Sequence, residues 1–123
     1  MAKFGKTPEP QFFVNDEDKE AMVEQLVPQT IYSLERLGSI EKAPLADDYF
    51  DTFARACAVM IAADTNLDTP AKSRMAAEAM AVHVLRHVKR YLEEEIETGT
   101  SAFQRMLNDF EIPEEMKRAW EDS

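Results

Sequence analysis

Residues 69–99, TPAKSRMAAEAMAVHVLRHVKRYLEEEIETG, decide the fold. Thr69 is a good N-cap type, and Pro70 follows at the first helical position, where its missing N–H costs nothing. No breaker intervenes before Gly99, a residue suited to ending a helix. The run predicts one unbroken helix over about 70–98, on the order of 40 Å long. Ala77, Ala81, Val84, Val88 and Tyr91 follow at spacings of four, three, four and three, which is the seam of a helix packed in a bundle.

Helical signals continue on both sides. Downstream, Ser101 with Gln104 reads as a capping box, and Phe103, Met106, Leu107 and Phe110 form an apolar face. Pro113 can open a last short helix with Met116, Ala119 and Trp120, where Trp120 reads as a latch on the core. Upstream, Tyr49 to Ala63 is nearly apolar all round after Arg55, and Asp47 is its expected cap. A helix of that kind belongs at the centre of a bundle, surrounded by others. Before it, Asn15 or Asp16 caps a first helix, with Met22, Val23, Leu26, Val27, Leu34 and Leu37 as its buried stripe. Pro28 should kink or split that helix, and Gly38 should stop it. Residues 1–14 read as an extended N-terminal arm, since Pro8 and Pro10 oppose helix, and 15–123 as a single helical domain. The fold class is therefore all-α: a compact bundle of four to five helices.

Composition agrees. Apolar residues make up 45% of 123, enough for a core, and only three are glycine. The net charge is −10. It is spread evenly, with six basic and eleven acidic residues in 1–62 and eight and thirteen in 63–123. That balance disfavours nucleic acid and anionic membranes, and suits solubility or a basic partner surface. A single cysteine, Cys57, cannot close an internal disulfide, and no apolar run is long enough to span a bilayer. A cytoplasmic location is expected.

Motifs for chemistry are incomplete. Asp64, Asn66 and Asp68 resemble the start of a calcium loop, but Thr69 stands where Gly is needed and Met75 where a bidentate carboxylate is needed. An ordinary turn is the simpler reading. His83 and His87 share a helix face, yet Arg86 and Arg90 beside them would repel a cation. Asp47, Asp48 and Asp51, Glu94 with Glu97, and Glu17 with Glu20 are acidic sets of the kind helical pyrophosphate-cleaving enzymes use for magnesium. None has the full spacing. Met60, Met75, Met80 and Phe53 can line a small-ligand pocket, though methionine is more often core filler. No cofactor, metal or catalytic residue is assigned.

By elimination, the expected function is a non-enzymatic protein–protein interaction module: an acidic adaptor, inhibitor or immunity-type factor. A metal-dependent helical hydrolase and a small-ligand-binding helical regulator are the alternatives. The expected partner is another protein with a basic surface, or a second copy. Charge order along residues 86–97 suggests a homodimer with its two-fold axis at Tyr91. Arg86, Lys89 and Arg90 of one chain would then face Glu93, Glu94 and Glu97 of the other, with Phe12 and Phe13 adding apolar contact. The same charges can also pair within the helix, as Lys89–Glu93 and Arg90–Glu94.

Overall fold

The computed structural model describes residues 12–39, 41–112 and 114–121, excluding the side chains of 116 and 119–121. Most of the expected arm, residues 1–11, lies outside the described residues, as does the side chain of Trp120.

Asn15 caps the first of the described helices, α1 (Asp16–Leu37), by accepting the Asp18 N–H at 2.8 Å. Three acidic residues, Asp16, Glu17 and Asp18, then meet the positive end of the helix dipole. The helix is not split at Pro28, which lies inside it and is fully buried. Its end at Gly38 needs no left-handed backbone, since φ there is −81°. Glycine is needed for space instead: a Cβ would stand 2.8 Å from Pro44 Cδ.

Helix α2 (Ala46–Ala63) starts at Leu45 rather than at Asp47. The Asp48 carboxylate reaches back to accept the Leu45 N–H at 2.8 Å, so the third helical residue does the capping. Helix α3 (Pro70–Thr98) has the predicted ends. Thr69 Oγ1 accepts the Lys72 N–H at 3.2 Å. Gly99, at φ 77°, donates its N–H to Glu95 O at 2.8 Å.

Helix α4 (Ala102–Asp109) is capped by Ser101, which accepts the Gln104 N–H at 3.1 Å. The expected box is only half made, because the Gln104 side chain donates forward to Asn108 Oδ1. A last helix, α5, covers Glu114–Glu121. Among the described residues all regular structure is helical, and none of these helices is long and apolar enough to cross a membrane.

The core is small and sits where α1 packs on α4: Pro28 and Ile31 from one, Ala102 and Met106 from the other. Tyr32 stacks on Phe110 beside it, centroids 6.0 Å apart. The buried stripe of α1 differs from the expected one. Val23, Val27 and Leu34 are half-buried, but Met22, Leu26 and Leu37 are exposed. The protected side is instead completed by Glu20 and Glu24, whose carboxylates have partners on α3 and α4.

Helix α2 is not central. It forms a hairpin with α3 and touches the end of α1, and no residue of α2 or α3 is buried. The result is an open all-α bundle. Its buried apolar side chains among the described residues are few: Pro28, Ile31, Ala102 and Met106.

Candidate interaction surface

Helix α3 has two faces with opposite fates. One carries Ala76, His83, Tyr91 and Glu94, each half-buried against the rest of the chain. Its lower part ends in a polar cluster that ties α3 to α1 and α4. The Tyr91 hydroxyl lies 2.9 and 3.0 Å from the two Glu20 oxygens, and Arg90 Nη2 donates to Glu20 Oε1 at 3.1 Å. Arg105 of α4 donates to Glu94 at 3.3 and 3.4 Å and to Glu24 at 3.2 Å. Burial, then the Glu20 hydrogen bond and charge, hold the Tyr91 phenol above its ordinary pKa. Burial acts to lower the Arg90 pKa, but the Glu20 hydrogen bond, the contacts with Tyr91 and the Glu20 charge together raise it.

Arg90, Tyr91 and Glu94 are thus engaged within their own chain. Neither intrahelical pair, Lys89–Glu93 or Arg90–Glu94, forms among the described residues; in the second, the longer-range partners Glu20 and Arg105 take Arg90 and Glu94. Arg86 turns to His83, its Nη2 lying 3.2 Å from Nδ1. Lys89, Glu93 and Glu97 have no ion-pair partner among the described residues. Phe12 folds back, its ring 6.4 Å from that of His83 and 3.5 Å under Lys19 Nζ, while Phe13 is almost fully exposed.

The motifs for chemistry resolve into ordinary local structure. Asp64 Oδ1 accepts the Asn66 N–H at 2.9 Å and Asp64 O accepts the Leu67 N–H at 3.0 Å, an Asx turn leading into the Thr69 cap. Asp68 binds Lys72 at 2.9 Å. Asp51 holds Arg55 at 2.7 Å, and Asp48 is used as a cap. His87 Nδ1 lies 3.3 Å from Arg90 Nη2. A guanidinium can only donate, so both histidines accept at Nδ1. Burial first, then Arg90 and Arg86, lower the His87 pKa against an opposing pull from Glu20.

Glu20, Glu24 and Glu94 do converge from facing helices, but the Arg105 guanidinium stands among them. No group of three or more His, Cys, Asp or Glu that could hold a metal occurs among the described residues. Surface depressions of 610 and 630 Å³ lie beside Phe110 and Ile112 and beside Glu94 and Arg105. Met60, Met75, Met80 and Phe53 line neither.

The other face of α3 has no cover among the described residues. Ala81, Leu85, Val88, Leu92 and Ile96 recur at three- and four-residue spacing, about a third of a turn around from the Tyr91 face. Leu85 is 68% exposed and Ile96 84%; on α2, Phe50 is 70% and Met60 74%. The seam read from the sequence therefore divides. Ala77, Ala81, Val84 and Val88 border the uncovered face, and Tyr91 belongs to the covered one. Leu85, Val88, Leu92 and Ile96 form a continuous exposed apolar row along α3. Comparison with protein-family models, with curated proteins and with solved structures finds no match to this chain.

Proposed function

We propose that this protein is a non-enzymatic protein–protein interaction module, and that it binds through the uncovered apolar face of the α2–α3 hairpin. One observation carries the reading: two helices with 47 residues between them bury no side chain, although both have apolar faces. Apolar side chains arranged at helical spacing are stabilising only when removed from water, at about 25 cal/mol per Å². An acidic exterior with net charge −10 keeps the free chain apart from non-specific partners. The polar cluster at Arg105 fixes α3 against α1 and α4, and so presents the face in a defined orientation.

A photoreactive phenylalanine analogue placed at Leu85, at Leu92 and, as a control, at Lys117 tests this in the cells that make the protein. Positions 85 and 92 should give intermolecular products, and position 117 should not. Products confined to the chain itself at 85 and 92 would show the face to be covered internally, and would end the proposal.

A further inference from the structure

We infer that the occupant of this face is a second copy of the same chain, packed through an antiparallel α3–α3 seam whose two-fold axis passes between Val84 and Leu85. The inference rests on the interaction reading above and supplies its partner.

Area is the first ground. Along α3, Leu85 is 68%, Leu92 54% and Ile96 84% exposed, and along α2, Phe50 is 70%, Val59 68% and Met60 74% exposed. An obligate dimer removes roughly 1,000–2,500 Å² from each protomer, and its interface resembles a domain core cut in half. The α2–α3 face has that character, because α2 reads as a central helix yet, among the described residues, packs only on α3 and on the end of α1.

Size complementarity is the second. The seam is small at its N-terminal end, with Ala77 and Ala81, and large at its C-terminal end, with Val88, Leu92 and Ile96. A two-fold axis between Val84 and Leu85 sets Ala81 opposite Val88 of the other copy and Ala77 opposite Leu92. Small then meets large on either side of the Val84–Leu85 centre, which keeps the helices evenly spaced. Parallel pairing would put alanine on alanine and isoleucine on isoleucine, and the helices would splay.

Charge complementarity is the third, and it is independent of the other two. Arg74, Glu78, Lys89 and Glu95 flank the seam and have no ion-pair partner among the described residues. The same axis brings Arg74 opposite Glu95 of the other copy, and Glu78 within two residues of Lys89. Each contact occurs twice by symmetry. Parallel pairing would oppose like charges at all four positions. A face whose halves complement each other under a half-turn fits its own copy. The axis lies more than one helical turn before Tyr91, where the charge order alone had suggested it. Tyr91, Arg90 and Glu94 remain inside the protomer.

Engineered cysteines test the geometry in the full chain with Cys57→Ala as background. Leu85→Cys lies beside the axis and should give a covalent dimer on mild oxidation. Ala77→Cys or Leu92→Cys alone should not, but a mixture of the two should link. Ile96→Cys should stay unlinked, because its two copies would be roughly 35 Å apart along the antiparallel pair. Arg74→Glu should raise the dimer Kd about three- to tenfold, and adding Glu95→Arg should restore it. Self-linking by Ile96→Cys would overturn the antiparallel arrangement. A Leu85→Cys chain that remains a monomer would overturn self-association. In that case the photoreactive group at position 85 separates the two proposals: an intermolecular product with a different protein leaves the interaction reading standing, and a purely internal product ends both.

Discussion

Replacing Arg105 with Met should loosen α4 from the rest of the chain, because one guanidinium serves three carboxylates from two other helices. Its nitrogens lie 3.2 Å from Glu24, 3.3 and 3.4 Å from the Glu94 oxygens, and 4.0 Å from Glu20. The Arg105 side chain is 34% exposed and that of Glu94 30%, so solvent screens these pairs considerably. Exposed pairs contribute about 0–1 kcal/mol each, with two-pronged Arg–carboxylate contacts at the upper end. Three screened contacts, together with the repulsion left among Glu20, Glu24 and Glu94, give a loss of about 1–2 kcal/mol. Met keeps the length and apolar stem of the side chain, so the loss is mainly electrostatic. Urea denaturation at fixed protein concentration measures it. The difference between the two proteins should shrink in 1 M salt, where the screening length is about 3 Å. A difference below about 0.3 kcal/mol at low salt, or one indifferent to salt, would refute the reasoning, because α4 would then be held by apolar contact alone.

Met106, only 4% exposed between α1 and α4, should cost about 2–5 kcal/mol on truncation to Ala, read from the same urea curves. Gly38→Ala should cost about 1 kcal/mol through its contact with the Pro44 ring and Lys42 O rather than through backbone strain, as a melting experiment would record. His87, its pKa lowered by burial and then by Arg90 and Arg86, binds fewer protons folded than unfolded. Its effect is absent well above its ordinary value of 6.5, and stability falls as pH drops below that value. His87→Gln should flatten part of that slope in melts between pH 7.5 and 5.5.

The reach of the sequence differed from element to element for physical reasons. Helix α3 was legible to the residue because Thr69, Pro70 and Gly99 act through local backbone chemistry. The protected face of α1 was not, since Glu20 and Glu24 are polar and their partners lie 70 or more residues away. Hydrophobic periodicity cannot register a carboxylate held by a distant guanidinium. The charged stretch 86–97 was recognised as unusual, but its partners were misplaced for the same reason: Arg90 and Glu94 pair across helices. Helix α2 is the most instructive case. Its all-round apolarity does call for neighbours, yet a pattern in one chain does not say whose side chains supply them. Local turn chemistry at Asp64–Asp68 and the approach of Arg86 and Arg90 to His83 and His87 were both readable from residue types alone.

Sedimentation equilibrium of the untagged chain, from about 1 to 100 µM, tests self-association through the α2–α3 face most directly. A self-associating chain has a mass twice its own 14.0 kDa across most of that range. Leu85→Glu, which places a carboxylate beside the axis, should shift the mass to that of one chain. A wild-type protein that sediments as a single 14.0 kDa chain at every concentration, with a cooperative melt independent of concentration, would contradict self-association.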